Sequence, residues 1–358
     1  MLRDSLLAKL DIEHPLILAP MAGGASTPEL VAAVSNAGGL GSFGAAYLPP
    51  DQVWDAIRRI RALTDKPFNV NLFAGGEDRD RRVDPAPMLA VLAEIHETLG
   101  LAPPVLPPFP PTRFSEALEA VLEARPAVFS FTFGIPDHQA LARLKARGIL
   151  IVGTATTVEE AKVLANQGVD AIVAQGEEAG AHRGTFMGPF EAAMVPVLDL
   201  VRGIRATVSV PVIAAGGLMA GHDITTAIAC GASAVSLGTA FLPCPECGTP
   251  GAHKQALLTA VGDTTVITRA FSGRPARGLT NTFITRLQGK EDMILPFPLQ
   301  NQLTRTMRAA AAQQGNFEFL SLWAGRGVAR ARALPAGELV KRLLAEMQQT
   351  NRLTIRTS

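Results

Sequence analysis

The chain has 358 residues, 47% hydrophobic and 18% charged, with 33 Lys plus Arg against 32 Asp plus Glu. Its apolar content excludes a disordered polypeptide, which lacks the burial needed to offset ordering entropy. A formal net charge of +1 excludes an overall basic field for holding nucleic acid or an anionic membrane. Three cysteines form no disulfide framework and point to a reducing compartment. No segment reaches the roughly 18 uninterrupted apolar residues of a membrane span. Residues 15–25 imitate a signal-peptide core. However, Asp11, Glu13 and His14 stand where basic residues belong, so a buried strand fits better and the expected location is cytoplasmic.

In chain order, residues 16–19 read as a strand. Thr27 caps a helix, Pro28 takes its first position and Gly38 with Gly39 ends it. Residues 40–43 are the second strand. Val53, Ile57 and Ile60 give 51–63 a helical stripe. Residues 68–72 are the third strand. The rhythm then breaks from 74 to 111, where a charged stretch containing Arg79, Arg81 and Arg82 precedes a helix at 88–99 and a proline-rich run at 102–111. The three arginines fit a solvated loop. The whole segment is either a lid or binding loop, or a surface excursion.

Regular alternation resumes with helix 114–124, strand 127–133, helix 137–147 and strand 150–154. Thr156 with Glu159 forms a capping box for a helix that Gly168 ends. Strand 171–175, a helix near 194–205, strand 210–214, helix 223–230 and strand 234–237 follow. Eight continuous apolar runs, not strictly alternating ones, indicate a parallel sheet covered on both faces. The expectation is an α/β protein with a (β/α)8 TIM barrel; a doubly wound open sheet is the alternative. Residues 244–323 are more polar and carry helices at 254–261 and 301–314. Leu339, Leu343 and Leu344 make 336–348 an amphipathic helix that returns to the barrel. The predicted organisation is therefore a barrel from 1–243 plus 324–358, with a smaller domain, 244–323, inserted after strand eight on the substrate side.

Active sites of such barrels lie at the C-terminal ends of the strands, often with a phosphate site after strands seven and eight. Those ends carry Gly216-Gly217 and Gly238-Thr239, where glycines let backbone N–H groups approach an anion; tight turns are the other reading. The end of strand six is the densest polar stretch, Gln175 to Thr185, and contains His182, the side chain best suited to proton transfer near neutral pH. The other five histidines fit structural or exposed roles. Asn71 ends strand three and needs hydrogen-bond partners, from a flavin or other polar ligand or from nearby main chain. Cys244 and Cys247, with Cys230 and His253 nearby, lack zinc-ribbon or finger spacing, so no metal is expected. Neither a nucleophile elbow nor a Rossmann glycine fingerprint occurs.

These segments together resemble nitronate monooxygenases. They comprise Ala-Pro-Met-Ala-Gly-Gly-Ala-Ser-Thr-Pro-Glu-Leu at 19–30, Ala-Gly-Gly-Leu-Gly at 37–41 and Gln-Gly-Glu-Glu-Ala-Gly-Ala-His-Arg-Gly-Thr-Phe at 175–186. Pro-Val-Ile-Ala-Ala-Gly-Gly at 211–217, Gly-Thr-Ala-Phe-Leu-Pro-Cys-Pro-Glu at 238–246, Thr-Arg-Ala-Phe-Ser-Gly-Arg-Pro-Ala-Arg at 268–277 and Ser-Leu-Trp-Ala-Gly-Arg-Gly at 321–327 complete the set. The resemblance implies non-covalent FMN bound by Met21, Asn71, Gln175, Gly180, Gly217, Ser236, Leu237, Gly238 and Thr239, with His182 catalytic. Asn71 and Gln175 would face the flavin ring, and Gly217, Gly238 and Thr239 would hold its phosphate. The implied reaction is oxidation of alkyl nitronates, such as propionate 3-nitronate, by O2 to a carbonyl compound and nitrite, a detoxification. Small molecules are the implied partners, without nucleic acid or membrane. An NAD(P)H-dependent flavin reductase acting on quinones or enoyl thioesters is the alternative, and a non-catalytic flavin binder a third. Three positions depart from the family pattern: Ala181 replaces the usual glycine before the histidine, Phe297 stands where relatives often have Tyr, and Cys247 lies outside it.

Overall fold

The computed structural model describes residues 5–110 and 113–357. Pro111, the last residue of the predicted proline-rich run, and the outermost residues of the predicted barrel lie outside them.

The chain opens with α1 (Ser5–Leu10), β1 (Leu16–Leu18), α2 (Pro28–Asn36), β2 (Gly41–Gly44), α3 (Pro50–Leu63), β3 (Phe68–Phe73), α4 (Ala86–Thr98) and α5 (Phe114–Ala124). It continues with β4 (Val128–Thr132), α6 (His138–Ala146), β5 (Leu150–Ala155), α7 (Val158–Asn166), β6 (Ala171–Gln175), β7 (Ala181–His182), α8 (Val197–Arg205), β8 (Val212–Ala215), α9 (Gly221–Ala229) and β9 (Ala234–Leu237). Eight parallel strands pair in the order β1-β9-β8-β6-β5-β4-β3-β2. A parallel Ile17–Leu40 bridge joins the first to the last and closes the ring. All eight predicted strands are present.

The helices form where the sequence carries both a cap and an apolar face. The Thr27 hydroxyl accepts from Leu30 N and Pro28 begins α2, so a donor that would be orphaned is satisfied or absent. In α8, Val197, Leu200, Val201 and Ile204 are buried while Asp199 and Arg202 pair outside, the stripe expected of a helix laid on a sheet. Each such side chain contributes about 1.5–3 kcal/mol on burial.

One predicted cap is corrected. Thr157, not Thr156, caps α7 and accepts from Glu160 N. Thr156 is fully buried, and its N–H and hydroxyl donate to the Glu160 carboxylate. The reason is competition: Thr156 and Thr157 offer the same hydroxyl, and burial of Glu160 engages the first.

α1 has no counterpart in the sequence reading. Leu6, Leu10 and Ile12 pack with Ile17, Leu40, Val128, Val152, Ala171, Ile213 and Ala234, near the N-terminal ends of the strands. They plug the bottom of the barrel, leaving the C-terminal end for chemistry.

After β9 come α10 (Gly251–Thr259), β10 (Thr265–Thr268), β11 (Ala276–Leu279), α11 (Thr282–Leu287), α12 (Leu299–Leu303), α13 (Arg305–Gln313) and α14 (Ala336–Thr357). The helix expected at 301–314 is thus two, divided at Thr304, whose buried hydroxyl donates to Phe271 O at 2.7 Å. Buried side chains of 244–323 belong to the same continuous cluster as those of the barrel. α14 packs on α9 and α2, filling the helical ring between them; it runs beyond the expected 336–348. The 74–111 excursion is tied to this later segment, through Asp78 N to Phe297 O (3.0 Å), Arg274 Nη1 to Gly76 O (3.1 Å) and Gln314 Nε2 to Leu99 O (2.9 Å).

Candidate active site

His182 does not sit on a free loop. It forms β7, which pairs antiparallel with β11, Ala276 opposite His182 and Arg277 opposite Ala181. The hairpin of the later segment therefore fixes the residue over the barrel mouth. Gln175, at the tip of β6, fastens the same turn: its Nε2 donates to His182 O at 3.0 Å and its Oε1 accepts from Gly184 N at 2.7 Å. Beneath the turn, fully buried Arg183 donates to the carbonyls of Gly176, Gln175 and Ala193. The Glu160 carboxylate accepts from Phe186 N and Met187 N at 2.5 and 2.9 Å.

The backbone at Ala181 is left-handed, φ +60°, a conformation that glycine adopts freely and a Cβ disfavours by roughly 1–2 kcal/mol. We expect Ala181→Gly to leave the protein as stable or up to about 1 kcal/mol more stable, the relief exceeding the added unfolded-state entropy. Urea unfolding checks this; a clear loss would mean the methyl packs usefully.

The imidazole is enclosed by aromatic rings. Ring centroids lie 5.8 Å away for Phe133, 5.8 Å for Phe297 and 5.6 Å for Trp323. Phe133 extends the wall to Phe73 at 4.4 Å, which meets Tyr47 at 5.4 Å. Phe133 itself has φ +71°, and Gly76 opposite has no room for a side chain, since a Cβ would fall 2.8 Å from that of Phe133. Such outliers persist where the surroundings over-determine them, commonly at ligand sites. His182 Nε2 is buried without a hydrogen-bond partner among the described residues. Burial, reinforced by the Arg274 and Arg308 charges, lowers the His182 pKa to about 3. The ring is therefore neutral at pH 7, with one nitrogen free to accept.

Asn71 is buried, and its Nδ2 donates to Ser130 Oγ at 2.9 Å. That partner is a side chain on the neighbouring strand β4. No described residue donates to Asn71 Oδ1, which is not sealed from solvent, so it can face a ligand.

Glycines and amides gather at the ends of β8 and β9. Gly217 has φ +67°. No described residue accepts from the N–H of Gly217 or Gly238. The Thr239 hydroxyl accepts from Gly325 N at 2.9 Å, which leaves its own proton to donate. Gly180 packs against this strap: a Cβ there would fall 2.6 Å from Gly325 N. Met21 Sδ lies 3.7 Å from where a Gly238 Cβ would be. Ser236 is buried in β9, and the Leu237 side chain belongs to the core with its carbonyl accepting from Ala19 N at 2.9 Å. Amides without an acceptor and a hydroxyl with a proton to donate make these turns a candidate anion cradle, and an open groove of about 440 Å³ is lined by Glu178, Gly217, Arg326 and Arg330.

Sequence reasoning missed Phe133, Trp323, Arg274, Arg308, Glu160 and Arg183. Arg183, Arg274 and Trp323 lay within recognised motifs; Phe133 ends a predicted strand and carried no signal beyond that of a core residue. Cys247 Sγ donates to Ala25 O at 3.1 Å and burial pushes the Cys244 thiol up to about 12, so both thiols are protonated and engaged in packing.

A parallel barrel with an enclosed, neutral histidine over its C-terminal mouth, and glycine-bearing turns after the last two strands, is the layout of a barrel enzyme acting on small molecules. A family model described as nitronate monooxygenase matches residues 3–346. A probable nitronate monooxygenase of Staphylococcus aureus (strain Newman) is 39% identical over 348 residues, covering 97% of this chain and 98% of its own. The nitroalkane oxidase structure from Streptomyces ansochromogenes superposes with a TM-score of 0.90 at 39% identity, covering 98% and 99% of the two chains. FabK from Thermotoga maritima superposes at 0.78 with 27% identity over the full length of both. The chain belongs to the nitronate monooxygenase family and is an oxidoreductase.

Proposed function

We propose that the protein binds FMN and oxidises small alkyl nitronates with O2, giving a carbonyl compound and nitrite. Propionate 3-nitronate is the candidate substrate, and 244–323 is the substrate-side unit. The observation that carries this reading is the neutral His182, its Nε2 unpartnered among the described residues, in an aromatic slot within reach of the Arg274 and Arg308 charges.

The cradle fits a flavin phosphate: Gly217 and Gly238 offer N–H groups, Thr239 a hydroxyl, and Met21 borders Gly238. Asn71 and Gln175 would meet the ring from the ends of β3 and β6. FMN, when bound, supplies a one-electron acceptor for an electron-rich nitronate and a route onward to O2. The protein's share is orientation and exclusion of water by Phe133, Phe297 and Trp323. His182 can hold a nitronate oxygen through an N–H, or take the α-proton of a neutral nitroalkane at a free nitrogen. With its conjugate acid held near pH 3 the second step is weakly driven, so the site suits preformed nitronates.

The histidine is already in its basic form well below neutrality. kcat/KM for a neutral nitroalkane should therefore show no acid limb from His182 between pH 5 and 8. The loss on acidification should come only as the pH falls toward about 3. A limb near pH 6.5 would show that the imidazole is far more hydrated than its enclosure implies.

The test of the reading is anaerobic mixing of the flavin-loaded protein with nitronate or with NADH. Rapid bleaching by nitronate and not by NADH supports it. The reverse result would favour an NAD(P)H-dependent reductase.

A further inference from the structure

His253 is a buried titratable group that the proposed chemistry does not use. Its Nε2 lies 3.2 Å from Trp323 O. A carbonyl only accepts, so Nε2 carries the hydrogen and donates. No other described residue donates to that carbonyl.

The consequence of this bond follows from where β11 places Trp323. His182 stands opposite Ala276 and Trp323 opposite Gly278, both in antiparallel pairing. Residues directly opposite share a face of a sheet, and so do residues two apart on one strand. His182 and Trp323 therefore rise side by side from one face, their ring centroids 5.6 Å apart. The strand beneath them is low: position 276 is alanine, and a Cβ on Gly278 would fall 3.0 Å from Trp323 Cε3. The indole thus lies across the glycine. The bonds flanking the Gly278–Trp323 pair run from Leu279 N to Leu322 O at 2.9 Å and from Ala324 N to Arg277 O at 3.3 Å. In that pattern the N–H and C=O of Trp323 itself point away from β11. Its N–H turns back to Ser321 O at 2.8 Å. Its carbonyl is left for α10, where His253 takes the place that a further strand would fill.

We infer that His253 is a positioning residue: by holding the Trp323 carbonyl from α10, it keeps the indole against His182 and water out of the slot. The catalytic consequence rests on the nitronate reading above; the hold on Trp323 does not. His253 is neutral above about pH 4, so replacing it changes no charge near His182 between pH 5 and 8. A change in the titration of His182 would then report hydration of its ring. Burial is the main cause of the lowered His182 pKa, with the Arg274 and Arg308 charges behind it.

The test uses the flavin-loaded protein with Trp54→Phe, which leaves Trp323 as the sole tryptophan of the two in the sequence. It compares His253 with His253→Met, which has no donor, and His253→Gln, whose amide N–H reaches about as far as Nε2. With 5-fluorotryptophan incorporated, 19F NMR should give one narrow resonance for His253 and for H253Q. In H253M the resonance should broaden or split as the indole takes more than one position. In kinetics, H253M should lower kcat/KM for butyl nitronate by roughly 10- to 100-fold, as for a displaced wall of a site. H253Q should stay within about threefold. The acid limb for 1-nitrobutane should lie below about pH 5 for His253 and H253Q. In H253M it should move up by about one pH unit or more, as water reaches His182.

An unchanged Trp323 resonance or an unchanged acid limb in H253M, with only a loss of thermal stability, would overturn the inference and leave His253 as packing. Should the parent protein consume neither substrate, the nitronate reading fails, while the resonance still decides the role of His253. Should H253M not fold, His253→Asn decides it. Its shorter side chain leaves the N–H short of Trp323 O, and a wild-type resonance and limb would be the contrary result.

Discussion

His182→Asn is expected to reduce turnover of a neutral nitroalkane by about 10²-fold, the low end of a positioned base's usual contribution because a conjugate acid with a pKa of about 3 drives the transfer weakly, and turnover of preformed nitronate by about tenfold or less. The asymmetry follows from the geometry. Nε2 is the enclosed nitrogen without a partner, so it is available to accept a proton, and no other neutral imidazole stands in this aromatic slot. His253 is also pushed down, to about 4, by burial, but its Nε2 is 3.2 Å from Trp323 O and is engaged there. A preformed nitronate has already lost the proton, so it needs the side chain only for placement, and asparagine retains an N–H for that. Separate kcat/KM values for 1-nitrobutane and butyl nitronate provide the check. Equal losses on both, or no loss on either, would remove His182 from the proton-transfer role.

Glu160→Ala should be the most damaging single change to stability outside the hydrophobic core, costing about 3 kcal/mol or more. The carboxylate is fully buried and accepts from Thr156 N, Thr156 Oγ1, Phe186 N and Met187 N. Removing it strands several enclosed donors at once, each worth about 1–3 kcal/mol when left unmet, although the turn can relax to recover some of that. The lost clamp also fixes the segment that follows His182. Activity should therefore fall by a similar factor on nitroalkane and nitronate, unlike the split expected for His182→Asn. Thermal unfolding with parallel kinetics tests both parts; an unchanged midpoint would mean that water replaces the carboxylate.

The barrel was readable because buried parallel strands are written as short unbroken apolar runs, such as Phe68–Phe73 and Val212–Ala215, separated by helices with local caps. Gly216, Gly217 and Gly238 could be placed at the barrel mouth because they come just after strands seven and eight; that they hold a phosphate is the proposal. What escaped depends on distant contacts. α1 is six residues long with too little pattern to announce itself, and its plugging role exists only once eight strands converge. β7 is two residues, paired with β11 nearly a hundred positions later. Phe133, Phe297 and Trp323 come from three separated segments; Phe297 stood out only as a departure from the family pattern and Trp323 only as part of a motif, and their shared wall forms once the later segment folds over the barrel mouth.

The most direct measurement is oxygen uptake by the FMN-loaded protein on adding propionate 3-nitronate with no NADH present. The account predicts rapid uptake with nitrite released in proportion to the nitronate consumed. No uptake while the flavin is demonstrably bound, together with its rapid anaerobic bleaching by NADH, would contradict it.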